Sequence, residues 1–195
     1  MNAIDTIEMI SEVAGVDPEN PDQTLGRVYL AGPIFGAHDD GETWRLEVRE
    51  AVGHLFQFDD PVETDPEELG TGKVDQSNPE AIRNNAHKIV SQSLASVRKA
   101  DALLVRNNGI ASPGTGYEVA AAFGYIARLE TALDTEEPNA YEPDTGDSPE
   151  PNTPTVVWHD NPPEYGVSPF HHLLTTYEGN GRNKCLIALA TALAK

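Results

Sequence analysis

The segment Ser112-Pro113-Gly114-Thr115-Gly116-Tyr117-Glu118 carries the densest chemistry in the chain. Three readings follow from its residue types and spacing. Thr115 and Glu118 stand three residues apart, the spacing of a capping box, in which each side chain satisfies a free backbone N–H of a first helical turn. Gly114 and Gly116 would then be turn glycines. A Gly-rich loop that opens a helix is also a phosphate cradle, because unpaired N–H groups and the helix dipole attract anions. The segment matches neither G-x-G-x-x-G nor a P-loop, so cofactor binding of those types has little support. The third reading is catalytic. A carboxylate in a first helical turn is expected to stay ionised. At the carboxyl edge of a sheet, Glu118 could attack an anomeric carbon as a retaining glycosidase carboxylate does. The transition state there is oxocarbenium-like and positive, so the anion would stabilise it electrostatically as well as covalently.

The other reactive residue types say less. His171-His172 and His159-Asp160 offer metal ligands, but no third or fourth ligand falls at a recognised spacing. Adjacent side chains on a strand or helix also point apart, so no metal site is expected. His38-Asp39-Asp40 reads as a solvated turn. Cys185, the single cysteine, has only Lys184 beside it and reads as a small buried residue. One cysteine excludes an internal disulfide, and a reducing, cytoplasmic setting follows by default.

The elements that must position these residues can be read from hydrophobic periodicity. Residues 3–14 have the spacing of a short amphipathic helix, and GVDPENPDQTLG after them reads as a linker, so residues 1–26 precede the main domain at 27–195. RVYLA at 27–31 is a strand that Gly32 and Pro33 stop. A helix is expected from Trp44 to Leu55, then a short strand near Leu55–Phe58. Asn78-Pro79-Glu80 opens the longest helix, with Ile82, Ala86, Ile89, Leu94 and Val97 on its core face. DALLV at 101–105 is the clearest buried strand, and Tyr117–Leu129 reads as an alanine-rich helix. The Pro- and acid-rich stretch 131–153 reads as a flexible insertion, too poor in apolar groups to offset its ordering entropy. PTVVWH is a further strand, and one or two helices follow, the last at Lys184–Ala194. Strands alternating with helices predict a single α/β domain, a parallel sheet with helices on both faces in a flavodoxin-like or Rossmann-like arrangement. Ligands in such sheets bind at the carboxyl ends of the strands.

Composition narrows the partners. Of 195 residues, 32 are acidic and 13 basic, a net charge of -19 that repels a phosphate backbone and argues against a nucleic-acid polymer as partner. No apolar run approaches the ~20 residues of a membrane span. The N-terminus carries acids where a secretory signal would carry Lys or Arg. The acids are dispersed from Asp5 to Glu178 and not gathered in one tail. That pattern fits a surface adapted to high salt, with steering of a basic partner as the alternative. The halophilic reading carries a test. The melting temperature should climb as KCl rises from tenths of molar to molar levels and charge repulsion is screened. A flat or falling value removes it.

Taken in order, VYLAGPIF, a helix beginning at Trp44-Arg45, KADALLV, SPGTGYEVAAAFGY and PTVVWH resemble the nucleoside 2-deoxyribosyltransferase family. The same order occurs in related enzymes that hydrolyse nucleoside 5′-monophosphates, and the similarity covers roughly residues 27–160. The resemblance implies that Glu118 is the nucleophile and that the Tyr29 hydroxyl holds it. It places Gly32 and Phe35 in the loop against the base, and Ser112 and Gly114 along the sugar and its 5′ end. Ser93 stands where many members carry an aspartate that protonates the leaving base, eight residues before Asp101. A serine cannot act as a carboxylic acid, so Asp59, Asp60 or His159 would have to serve, or the base leaves with little protonation, or catalysis is lost. Ser112 matches the serine of the monophosphate hydrolases, where some deoxyribosyltransferases have a carboxylate. Implied with the activity are a nucleoside or nucleotide substrate and a free base, no cofactor, and a homo-oligomer whose neighbour completes the pocket. The rival expectation is a non-catalytic nucleotide-binding module on the same fold, favoured by Ser93.

Overall fold

Short apolar runs bounded by Gly, Pro and Asp become the strands of one sheet. The computed structural model describes residues 3–17, 20, 23–34, 39, 41–62, 79–110, 112–122, 153–160 and 176–194. The strands are β1 (Arg27–Ala31), β2 (Gln57–Asp59), β3 (Ala102–Asn107), β4 (Thr155–His159) and β5 (Tyr177–Asn180). Every pairing is parallel and the spatial order is β2-β1-β3-β4-β5. The described helices are α1 (Ala3–Ala14), α2 (Glu42–Val52), α3 (Pro79–Lys99), α4 (Pro113–Ala122) and α5 (Arg182–Leu193). This is the expected α/β architecture, in the flavodoxin-like strand order. None of the described helices is long and apolar enough to cross a membrane.

The period of two in a strand divides its side chains between two cores. Val28 and Leu30 of β1, Leu104 of β3 and Val156 of β4 pack with Ile10 of α1, Val48 and Val52 of α2, and Leu186 and Leu189 of α5. Tyr29 and Ala31, with Leu103, Val105 and Val157, face Val97 of α3 and Val119 and Ala122 of α4. Helices therefore cover both faces, as a sheet apolar on both sides requires. Because β1 and β3 are neighbours while their connections leave in opposite directions, a crevice opens between them at their carboxyl ends. Tyr29, paired in register with Leu103, is the polar side chain that β1 sends toward α3 and α4.

Three local expectations change. Helix α4 begins at Pro113, four residues before Tyr117, because Ser112 caps it and Pro113 suits the first helical position, where no N–H is needed. β5 is an addition to the expected strands. Its four residues, Tyr-Glu-Gly-Asn, form an edge strand without an apolar face, so periodicity has nothing to detect. The last helix starts at Arg182, two residues early. Residues 131–152 of the insertion, Phe35, His38, Asp40 and His171-His172 lie outside the described residues. So do the side chains of Ile82, Ala86 and Ile89, while Val97 is buried as expected.

Candidate active site

Tyr29 is buried on β1, and its hydroxyl donates a 2.6 Å hydrogen bond to Oε1 of Glu118, 89 residues along the chain. Ser93, on α3, acts on the same phenol, favouring its anion against larger opposing effects. Three of the expected residues thus meet on one face of the sheet, beside the crevice between β1 and β3. Burial, then the adjacent Glu118 carboxylate, pushes the Tyr29 phenol far above its usual range, so it remains a proton donor at any physiological pH.

Glu118 departs from expectation in two ways. It does not complete a capping box with Thr115. Ser112 is the cap: its Oγ accepts from the Thr115 N–H at 3.4 Å and pairs with Thr115 Oγ1 at 2.7 Å, and its carbonyl takes the Gly116 N–H. Glu118 is therefore in the second turn of α4, beyond the free N–H groups that would have favoured its anion. Nor does it stay an ordinary ionised carboxylate. Desolvation by burial raises its pKa to about 7, and the Tyr29 hydrogen bond and the charge of Arg45 pull the other way without cancelling it. The cap has a direct test. Ser112→Ala should cost about 1 kcal/mol, read as a melting temperature lower by about 2–4 °C for a chain of this size. An unchanged value would mean that the helix start is held by something else.

The remaining expected residues divide. Gly32 is buried, and a Cβ there would lie 3.0 Å from the Trp44 ring and 3.3 Å from the Arg106 carbonyl, so tight packing by itself favours glycine. Gly114 is exposed on α4, and among the described residues a Cβ at Gly114 or Gly116 would meet nothing. Glycine in a helix costs about 1 kcal/mol relative to alanine, and here no neighbouring protein atom accounts for it. The three substitutes for the missing aspartate have partners elsewhere. Asp59 faces Arg27 at 3.8 Å. Asp60 lies between Arg45 and Arg49, at 3.2 and 2.9 Å. His159 is buried, with Nδ1 3.3 Å from Asn107 Nδ2 and Nε2 3.3 Å from Glu178 Oε2. Cys185 is buried as expected, between the carbonyls of Val157 and Gly179, and burial pushes its thiol up to about 12. Among the described residues no three of His, Cys, Asp and Glu gather as a metal site would need.

Asp39 lies in a turn, as expected, and the turn leads into α2. Its carboxylate accepts the N–H groups of Gly41 at 3.1 Å and Thr43 at 2.9 Å. The Thr43 hydroxyl and these N–H bonds pull its pKa down to about 2. Gly41 has φ 76°, a left-handed conformation that disfavours any side chain. Together they turn the chain into α2.

Sequence reasoning missed Arg45 except as part of a motif. It is completely buried, and its guanidinium bonds the carbonyls of Gly41 at 2.7 Å, Gly32 at 3.2 Å and Leu30 at 3.5 Å. The signal was its spacing with Val48, Val52 and Leu55, which puts a cation on the apolar face of α2. Also unforeseen is an aromatic and cationic cluster on the opposite face of the sheet. Trp44 and Trp158 meet edge to face at 6.2 Å, Arg106 lies over both rings, and Arg106 is bonded to Asp160 at 2.6 Å. Two open clefts, of about 380 and 420 Å³, flank this cluster and share Glu47. Neither is lined by Glu118 or Tyr29.

No protein-family pattern matches the chain, and no curated protein matches it significantly.

Proposed function

We propose that this chain breaks N-glycosidic bonds of nucleosides or nucleotides by double displacement, in the manner of the nucleoside 2-deoxyribosyltransferases that it resembles. The observation that carries the reading is the 2.6 Å bond from the Tyr29 hydroxyl to Glu118. It joins the two residues that the family pattern singles out, across the crevice where an open parallel sheet binds its ligands. In this reading Glu118 attacks the anomeric carbon and the base departs. A glycosyl ester on Glu118 then yields to a second base or to water. The Tyr29 hydroxyl orients one carboxylate oxygen and leaves the other to react. A nearby anion also stabilises the positive charge that develops on the sugar ring. The reaction needs no metal or organic cofactor. Resemblance further supports a homo-oligomer whose neighbour completes the pocket.

The 5′-monophosphate hydrolase is the second reading, and one observation favours it. The backbone of α4 at Gly114 and Gly116 is unobstructed among the described residues, and a helix start with no added carboxylate suits an anionic 5′ group. The non-catalytic module loses ground for a physical reason. A buried carboxylate held by a buried tyrosine is costly to keep where only binding is needed.

A panel of nucleosides and 5′-monophosphates, each with and without an acceptor base, distinguishes these readings by chromatography. Base exchange without free sugar is the transferase outcome, and release of sugar or sugar phosphate is the hydrolase outcome. Binding without turnover across the panel overturns the proposal in favour of a module.

A further inference from the structure

Among the described residues, Arg45 is the only Lys or Arg in the buried core. Taking a guanidinium out of water is costly unless its donors and its charge are both answered. Its donors largely are. Nη1 bonds Gly41 at the cap of α2, and Nη2 bonds Leu30 and Gly32 at the end of β1. The central carbon of the group lies 4.5 Å from the Trp44 ring centre, a cation–π contact. Arg45 thereby closes the loop between β1 and α2 at both ends, and the strand it grips carries Tyr29.

Its charge is answered less completely. Nε lies 3.2 Å from Asp60 Oδ1 but out of hydrogen-bond alignment, and it makes no hydrogen bond at all. Asp60 is shared, since its Oδ2 takes Arg49 Nη1 at 2.9 Å. The other groups that feel Arg45 are Glu118, Tyr29 and Arg106. Arg106 is itself bonded to Asp160. Glu118 is the remaining acid. The groups acting on Glu118 in turn are the Tyr29 phenol of β1, which bonds it, and the charge of Arg45 on α2.

We propose that Arg45 is the positioning residue of this site, its forked N–H groups fixing the end of β1, and so the Tyr29 hydroxyl, against the Glu118 carboxylate, with its buried charge favouring that carboxylate's anion. A loop staple alone would need only neutral donors. A buried cation, paired with Asp60, whose field also reaches the desolvated Glu118 carboxylate is more than a staple requires. The inference deepens the proposed function and rests on it only for what Glu118 does chemically.

The test reads Glu118 directly. In the full chain labelled with ¹³C-carboxyl glutamate, the Glu118 resonance is assigned by its loss in Glu118→Gln and titrated by NMR. Wild type should titrate near about 7. Arg45→Lys keeps the charge and should leave the midpoint close to wild type. Two neutral variants guard against a folding defect in either: Arg45→Gln, and Arg45→Met combined with Asp60→Asn, which leaves no orphaned acid. In both the midpoint should rise by about one pH unit or more. The acid limb of kcat/KM should move with it. A neutral variant that folds with its midpoint unmoved overturns the role, and so does a lysine variant that shifts as far as the neutral ones. Absence of turnover in every protein, wild type included, would count against the proposed function, while the titration would still decide for or against Arg45.

Discussion

Glu118→Gln should lower turnover of the N-glycosidic substrate by about a thousandfold or more while making the folded protein more stable at pH 8. The first effect follows from losing both the attacking oxygen and the negative charge facing an oxocarbenium-like transition state. The second follows from burial. The Glu118 pKa is raised from 4.5 to about 7 in the fold, so the native state holds a proton that the unfolded state releases between those values. By linkage, stability contributed by this group is greatest near pH 4 and is lost as pH rises through about 7. A tenfold change in proton affinity is worth about 1.4 kcal/mol. With partial solvent access, a cost of about 1–2 kcal/mol remains when Glu118 is ionised. Glutamine carries no charge, and its amide oxygen can still accept from Tyr29. Its melting temperature at pH 8 should therefore exceed wild type by several degrees, and the two should converge near pH 4. A capping-box glutamate would give the opposite sign, a small loss at every pH. Near-normal turnover by Glu118→Gln returns the residue to a structural role, and a trapped sugar adduct on its peptide, present in wild type and absent in the variant, supports the nucleophile.

The sequence makes some of this legible and hides the rest for identifiable reasons. β1, β3 and β4 are runs of Val, Leu, Tyr and Trp closed by Gly, Asn or Asp, so composition and punctuation mark them directly. α3 is long enough for its 3.6-residue period to show. α4 is harder, because Gly114 and Gly116 lower the helix propensity of its first turns and move its apparent start to Tyr117. The cap at Ser112 is visible only once Pro113 is recognised as a first helical residue. The Tyr29–Glu118 bond spans 89 residues, and no local spacing encodes it; resemblance supplied the pair before the geometry did. The charge state of Glu118 escapes a reading of the sequence because a helix position can be counted along the chain, whereas desolvation depends on what packs around the side chain. Arg45 lies in view throughout, on the same helical face as Val48 and Val52. A single cation at that spacing is ordinarily read as a solvated side chain reaching past the core, and only the three carbonyls it meets reveal otherwise.

The raised carboxylate also fixes the shape of the pH profile, and with it the role of Glu118. As a nucleophile it must be ionised, so kcat/KM should rise about tenfold per pH unit below about 7 and level off above it. Between pH 5 and pH 8 the gain should be close to a hundredfold. No falling limb is expected from Tyr29, whose phenol keeps its proton far beyond that range. Tyr29→Phe removes a bond that favours the anion, so its acid limb should lie higher than in wild type. The alternative assignment gives the mirror image. A glutamic acid raised by burial is also the usual form of a general acid, and if Glu118 donated its proton to the leaving base, kcat/KM would be highest below about 7 and fall above it. Ser93 gives that alternative its force, because it stands where many of the deoxyribosyltransferases that the chain resembles carry their proton donor. Initial rates on one substrate from pH 5 to 9, at constant ionic strength so that the -19 surface is equally screened throughout, decide between them. A rising limb keeps Glu118 as the nucleophile and leaves the base to depart with little help. A falling limb would transfer it to the proton donor's role and require a nucleophile from elsewhere.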